Sequence, residues 1–201
     1  MAYSTEDEQL DAVKRWLRTH LLTIVAGVVL IVGIVWGRAY WQNSQQSSAE
    51  AVYVAFEATD KLRKTFTSAK SDQQDKALQD YSEAVQSLKA EHPEQMMTAL
   101  ALLKFAADLI EQEQWQAAQK ELEWLYGKDL DEELHALAAL RLGQVLYQRD
   151  EHQRALAIIH ATLEEGNAYQ ARLSELQGDI LLALDKTNQA RKAYTEAQQS
   201  S

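Results

Sequence analysis

Residues 140–163 read LRLGQVLYQRDEHQRALAIIHATL, and residues 176–197 read LQGDILLALDKTNQARKAYTEA. The two stretches share three positions at a constant spacing of 35 residues: Gly143 and Gly178, Ala155 and Ala190, Ile159 and Tyr194. A fixed period of this length is the signature of a repeat protein. In each copy one small residue precedes a polar turn and another follows it, as in two helices that cross closely. The sequence therefore predicts repeated helical hairpins, in which a larger side chain at either small position pushes the two helices apart.

The same helical spacing of apolar residues runs through residues 51–201. Polar breaks interrupt it near residues 68–74, 90–95, 111–114, 127–132, 149–152, 165–168 and 185–188. The chain has a single proline, and no alternating β-branched run suggests a strand. These features predict an all-α domain of helix-length segments.

The hairpins resemble the tetratricopeptide repeat, whose period is about 34 residues and whose small positions they match. A looser copy is ALLKFAADLIEQEQWQAAQKELEWL at residues 101–125, with Ala106 and Ala118 in the small positions and Trp115 as a packing aromatic. A degenerate first copy ends in Ala77, Tyr81 and Ala84. The resemblance implies a hairpin solenoid of about three to four repeats.

Residues 19–37, THLLTIVAGVVLIVGIVWG, contain no side chain that is fully charged at neutral pH. As a helix this segment is roughly 28 Å long, which matches the hydrocarbon core of a bilayer. A cleaved signal peptide is the alternative, with small residues at Ser47, Ser48 and Ala49, but these lie well beyond the apolar stretch. We expect an uncleaved transmembrane helix at 19–37.

The charges that flank this segment predict its orientation. Lys14, Arg15 and Arg18 precede it, whereas Arg38 is the only basic residue after it until Lys61. By the positive-inside rule, residues 1–18 are a cytoplasmic tail. Residues 38–50 are then a linker, and 51–201 form a domain on the other side. In a bacterium this is a single-pass inner-membrane protein with a periplasmic C-terminal domain.

Small residues recur on one face of the predicted transmembrane helix. Ala26, Gly33 and Gly37 share that face, and Gly33 and Gly37 form a GxxxG pattern. Small residues allow two transmembrane helices to approach closely. These three residues are our candidates for transmembrane helix packing, and simple tolerance of glycine is the alternative.

Composition excludes several kinds of function. The net charge is −10, and residues 1–38 carry four acids and four bases, so all of the excess lies beyond them. A nucleic-acid ligand is not expected, because phosphate binding needs a basic surface. Without cysteine there is no thiolate metal site or thiol nucleophile. Glu132 and His135 form one isolated Glu-x-x-His, whereas a di-iron helical bundle needs two such pairs with further carboxylates, so we expect no metal site. The sequence contains no glycine-rich phosphate loop and no GxSxG elbow, so we expect no cofactor, catalytic residue or small-molecule substrate.

A protein-binding surface is the better candidate. In the tetratricopeptide register the first helix of each hairpin lines an inner groove, and its inward apolar residues are Leu103, Ile110, Leu140, Tyr147 and Leu182. An apolar groove holds an amphipathic helix or an unfolded segment. Two alternatives stay open: these residues are ordinary packing, or an N-terminal helix with Val52, Tyr53 and Phe56 covers the groove.

Two further sets of aromatic and small residues are candidates for exposure. Trp124 and Tyr126 near a break are read as exposed anchors of an interface. In the last helix, Ala193, Tyr194 and Ala197 are expected to stay partly exposed, so that a partner covers them or the chain continues.

Residues 6–17 read EDEQLDAVKRWL, the predicted anchor follows them, and residues 37–41 read GRAYW. In these residues the layout of the chain is similar to the ancillary subunit family of the bacterial SecYEG translocon. This resemblance implies a non-enzymatic adaptor whose partners are the SecYEG translocon, a membrane-anchored periplasmic chaperone and translocated client proteins. Two alternatives are a regulator of an envelope stress response that acts through the cytoplasmic tail, and an adaptor in envelope assembly.

Overall fold

The computed structural model describes residues 49–166 and 168–200, and every regular element in this part of the chain is an α-helix. The first helix, α1, is described over residues 49–68. The others are α2 (Ser71–Glu91), α3 (Met96–Glu111), α4 (Trp115–Tyr126), α5 (Glu132–Gln148), α6 (His152–Glu165), α7 (Gln170–Ala183) and α8 (Thr187–Gln199). The predicted all-α fold is confirmed for these residues, and each predicted break falls at an observed interhelical turn.

The described helices pair into four hairpins, α1/α2, α3/α4, α5/α6 and α7/α8, at the upper end of the predicted three to four repeats. Phe66 of α1 packs on Tyr81 of α2, and the two helices of each other hairpin are in direct contact. Each even-numbered helix also contacts the next odd-numbered one, as α4 contacts α5 and α6 contacts α7. Among the odd-numbered helices, α5 contacts both α3 and α7. Even-numbered helices are joined by ion pairs, for example Arg154 with Glu123 at 2.7 Å. The domain therefore has two helical layers, one odd-numbered and one even-numbered.

The turns inside the last three hairpins share one backbone geometry. In the turn between α7 and α8, the N–H of Lys186 donates to the carbonyl of Leu181 at 2.9 Å, and the N–H of Asp185 donates to that of Leu182 at 3.0 Å. This is the Schellman arrangement, which satisfies the last carbonyls of a helix and places one residue in the left-handed region. The residue with positive φ in each of these three turns is Glu113 (56°), Asp150 (60°) and Asp185 (59°), respectively. An acidic residue thus occupies a position that usually favours glycine.

The small residues that define the repeat lie where helices meet. A Cβ on Gly143 of α5 would lie 2.6 Å from Cδ1 of Ile159 on α6, and one on Gly178 of α7 would lie 2.5 Å from the Tyr194 ring on α8. Ala106, Ala118, Ala155 and Ala190 are all buried, with exposed fractions of 1% or less. The predicted close crossings are therefore confirmed.

The degenerate first repeat has an aromatic core. Tyr81 of α2 is 1% exposed, and its ring lies between Phe66 of α1 (6.2 Å, stacked) and Phe105 of α3 (5.0 Å, edge-on). Ala77 is buried and Ala84 half-buried. Helices α1, α2 and α3 therefore pack together around the Tyr81 ring, although the repeat pattern is weak in this part of the sequence.

The predicted membrane segment and its candidates Ala26, Gly33 and Gly37 lie outside the described residues, as do the tail 1–18 and most of the linker. Residues 49 and 50, at the end of the predicted linker, are helical. Within residues 49–166 and 168–200, no helix is both long and apolar enough to cross a membrane.

Candidate partner-binding surface

The odd-numbered helices lie side by side and present one face away from the even-numbered layer, which we call the odd-helix face. Helix α1 joins α3 through polar contacts: Arg63 donates to both carboxylate oxygens of Asp108 at 2.7 and 2.8 Å, and Lys104 donates to Asp60 at 2.9 Å. Asp108 is 1% exposed, so its charge depends on the guanidinium for compensation. The pKa of Arg63 is accordingly raised, first by this hydrogen bond.

Four of the five predicted groove residues retain accessible surface. Leu103, Ile110 and Tyr147 are half-buried and pack against the main core, while Leu182 is 47% exposed. Ile110, Tyr147 and Leu182 occupy the same position in successive repeats, just before the turn of each hairpin. They supply one apolar residue from each of α3, α5 and α7, so they are equivalent points along the odd-helix face.

Leu140 differs from the prediction, because it is 2% exposed and belongs to the main core. The physical reason is the number of neighbours around α5, which is contacted by α3, α4, α6 and α7. Little of its circumference remains free, so a position that faces outward in an isolated hairpin is covered in the stacked repeats. Leu140 contributes packing to the domain and no accessible groove surface.

The contacts of α1 bear on the alternative in which an N-terminal helix covers the groove. Val52 is 3% exposed in a small cluster with Leu88 of α2 and Ala101 of α3, and the Lys104 ammonium lies 4.9 Å from the Phe56 ring centroid. Tyr53 is 50% exposed. Helix α1 therefore occupies the first-helix position of its own hairpin and extends the odd-numbered layer.

Two lysines pair with Asp60 at the α1 end of the odd-helix face. Lys64 and Lys104 both lie 2.9 Å from its carboxylate oxygens. The hydrogen bonds from Lys64 and Lys104 lower the pKa of Asp60 to about 2. The carboxylate therefore stays ionised throughout the physiological range and holds the two ammonium groups on the surface.

At the other end of the domain, Tyr194 of α8 donates to Asp179 of α7 at 2.7 Å. Burial, followed by this hydrogen bond, raises the pKa of Tyr194 to about 12.

Ala193 is 2% exposed, so the prediction that it stays partly exposed is wrong, while Tyr194 and Ala197 are half-buried. The outward residues of α8 are polar, so this face of the helix is suited to contact with water.

The tryptophans near the turns are engaged within the domain. Trp115 is half-buried and packs on the main core as predicted. Trp124 lies beneath two ammonium groups, of Lys89 at 4.6 Å and of Lys128 at 4.7 Å. Tyr126 stacks on His135 at 4.7 Å. The interpretation of Trp124 and Tyr126 as exposed anchors is therefore wrong, because cation–π and stacking contacts use their faces.

Sequence reasoning missed the ion pairs between repeats. Lys89 of α2 donates to Glu121 of α4 at 2.6 Å, with side chains 13% and 6% exposed, and Gln86 donates to the other carboxylate oxygen at 3.1 Å. The partners are 32 and 35 residues apart, so no local pattern reveals them. The repeat period is the only available signal, because it places equivalent helix positions side by side.

Within the described residues, no three His, Asp or Glu side chains are arranged to hold a metal ion. His135, the histidine of the Glu-x-x-His pattern, is stacked on Tyr126 instead. The odd-helix face carries apolar residues with interspersed charges, an arrangement suited to binding another protein.

Comparison with known proteins agrees with this architecture. Residues 14–201 match the model of the tetratricopeptide repeat-like domain family. The solved structure of pilF from Pseudomonas aeruginosa has a TM-score of 0.54 at 18% identity and covers 71% of this chain and 59% of its own. That of MamA has a TM-score of 0.53 at 18% identity, with coverages of 75% and 85%. At this identity the two structures support the fold alone.

Curated relatives match over nearly the full length. The ancillary SecYEG translocon subunit of Haemophilus influenzae is 30% identical over 100% of this chain and 92% of its own. The proteins of that name from Escherichia coli K12 and Neisseria gonorrhoeae are 27% and 28% identical, over 96% and 98% of this chain and 86% and 88% of theirs. The resemblance noted in the tail, anchor and repeats is thus confirmed, and this chain belongs to the family of ancillary SecYEG translocon subunits built on a tetratricopeptide repeat-like domain.

Proposed function

We propose that this chain is a non-enzymatic ancillary subunit of the SecYEG translocon, anchored by residues 19–37, with its repeat domain in the periplasm. The observation that carries the proposal is the full-length match to relatives named for that role, which includes the anchor region as well as the repeats. The predicted anchor brings the chain into the same bilayer as the translocon, where Ala26, Gly33 and Gly37 offer a face for helix packing.

We further propose that the odd-helix face receives emerging chains or a membrane-anchored periplasmic chaperone. Its support is the apolar row of Ile110, Tyr147 and Leu182, one residue from each successive repeat. Leu182 is large, apolar and 47% exposed, and together with its equivalents in the two preceding repeats it forms a row instead of an isolated apolar side chain. Stacked repeats hold such a row rigidly, so an extended or helical segment can contact several repeats at once.

The translocon association is tested with a photo-crosslinking residue at Gly33 or Gly37 of the full chain in intact bacteria. We expect crosslinks to translocon subunits from these positions. The control is Ile31, which helical periodicity places on the opposite face. Equal capture from all three positions, or no translocon subunit from any, would refute the proposed association. Deleting residues 2–13, which keeps the basic residues that orient the anchor, is expected to leave capture unchanged. A changed envelope stress response with intact capture favours the regulatory alternative.

The odd-helix face is tested separately with Leu182→Arg. We expect this variant to lose co-purifying periplasmic chaperone and client chains while it still crosslinks to the translocon. The matched control is Ala157→Arg, an exposed position on α6 in the even-numbered layer. Retention of these partners by Leu182→Arg, or equal loss in both variants, contradicts a role for this face.

A further inference from the structure

A cavity of about 390 Å³ lies where α3 and α5 begin, beside the segment that leads into α7. We call it the α3–α5 rim pocket, and its lining residues are Met96, Leu100, Asp131, Glu133, Leu134 and Tyr169. All six come from the starts of first helices or from the residues just before them. The pocket therefore lies at the edge of the repeat stack and does not include the apolar row of Ile110, Tyr147 and Leu182.

The apolar part of the pocket is accessible. Met96, at the first position of α3, is 59% exposed, while Leu100 and Leu134, which also line the pocket, are half-buried. A methionine in the first turn has no helix-capping role, and its flexible thioether adapts to differently shaped apolar partners. An exposed methionine beside half-buried leucines thus forms a small apolar site for an inserted side chain.

The rim of the pocket is negatively charged. Asp131 and Glu133 are both exposed, and among the described lining residues there is no lysine or arginine. Asp131 accepts the N–H of Leu134 at 3.0 Å as the N-cap of α5. Lys128, which precedes the pocket in sequence, is already paired with Glu94 at 2.8 Å. The charge of the rim is therefore available to a cation from outside.

We propose that the α3–α5 rim pocket binds a basic amphipathic segment of a partner protein. An apolar side chain of that segment covers Met96 above Leu100 and Leu134, and a neighbouring lysine or arginine pairs with Glu133 and Asp131. Charge complementarity selects this occupant, because acidic segments and anionic lipid headgroups are repelled by the rim. The inference rests on the proposed adaptor function and adds a second site with its own charge preference.

The test uses the full chain in phosphatidylcholine nanodiscs, with empty nanodiscs as the reference. The probe is a short labelled peptide with leucine and lysine at helical spacing, followed by fluorescence anisotropy. Two matched peptides replace lysine with glutamate or leucine with serine. We expect the lysine–leucine peptide to bind and both matched peptides to bind at least about tenfold more weakly. Equal binding of the glutamate peptide, or no binding of the lysine peptide, overturns the proposal.

Substitutions locate the site. We expect Glu133→Lys to weaken the lysine–leucine peptide about tenfold, with a reduced salt dependence, and Met96→Ser to weaken it about threefold. The controls are Val54→Ser, at the same 59% exposure on α1, and the exposed Glu57→Lys on that helix. Unchanged affinity in the rim variants, or equal losses in the controls, contradicts the assignment. Far-UV circular dichroism verifies that each variant is folded.

Two further readouts distinguish a peptide site from self-association and from a failure of the adaptor function. A second copy of the chain in the pocket would appear as peptide-free dimerisation that Met96→Ser abolishes, and this result overturns the proposal. Crosslinking of Gly33 to the translocon is expected to be normal in both rim variants. If the unaltered chain binds all three peptides equally but still crosslinks to the translocon, the rim pocket alone is refuted. If the unaltered chain does not crosslink to the translocon, the proposed function is refuted.

Discussion

Gly178 makes the closest helix contact among the described glycines, and Gly178→Ala tests the packing directly. An added Cβ would lie 2.5 to 2.7 Å from three atoms of the Tyr194 ring. These distances are far below normal contact, and the ring is rigid, so it must rotate or α8 must shift. Either movement strains the hydrogen bond from Tyr194 to Asp179, now 2.7 Å long.

The net effect on stability is a difference between opposing terms. Replacing glycine by alanine inside a helix stabilises it by about 1 kcal/mol. Overpacking a close contact costs about 1 to 3 kcal/mol, and loss of the Tyr194 hydrogen bond costs about 1 kcal/mol more. We therefore expect a net loss of about 1 to 3 kcal/mol, which for a domain of this size lowers the melting temperature by about 3 to 9 °C.

The assay is thermal unfolding of the full chain in detergent, followed by circular dichroism at the helical minimum. Gly127→Ala is the matched control, because its Cβ would meet no atom closer than 3.6 Å. Gly143→Ala is expected to cost less than Gly178→Ala, because the atom it meets at 2.6 Å is the flexible end of Ile159. In a Tyr194→Ala background the cost of Gly178→Ala is expected to shrink. If Gly178→Ala melts at or above the temperature of the unaltered chain, the close-crossing argument is refuted.

Three further predictions are checked by urea unfolding of the full chain and its dependence on pH. Arg63→Ala leaves the carboxylate of Asp108 buried without its partner and is expected to cost about 3 kcal/mol in urea unfolding; an unchanged midpoint contradicts the compensation argument. Asp185→Gly relieves a side chain held at φ 59° and is expected to stabilise by about 0.5 kcal/mol, so a lower midpoint argues against strain in this turn. The pKa of Asp60 is lowered to about 2, so its contribution is present above its ordinary pKa near 4 and is lost as the pH falls from about 4 to 2. Asp60→Asn should therefore flatten the acid dependence of stability in that window, by under about 1 kcal/mol because the pair with Lys104 is partly exposed; an identical pH profile contradicts this assignment.

The sequence alone predicted the local structure of the domain well. The spacing of 35 residues between Gly143 and Gly178 correctly indicated hairpins that cross at small residues. Polar breaks between apolar stripes correctly indicated where helices end, because helix periodicity and turn chemistry are local properties of the chain. The full-length family resemblance came from the tail and anchor, whose residues lie outside the described structure.

Only the stacking of repeats decided which side chains stay accessible. Leu140 was predicted to line the groove and is buried, because α5 is surrounded by four helices that one hairpin does not contain. Trp124 was predicted to be exposed and is held beneath Lys89, which belongs to the preceding hairpin. The rim pocket, too, exists only because the starts of α3 and α5 are adjacent. A sequence specifies the buried stripe of each helix through its own periodicity, but it does not specify which neighbour covers the remaining surface, because those contacts join residues more than 30 positions apart.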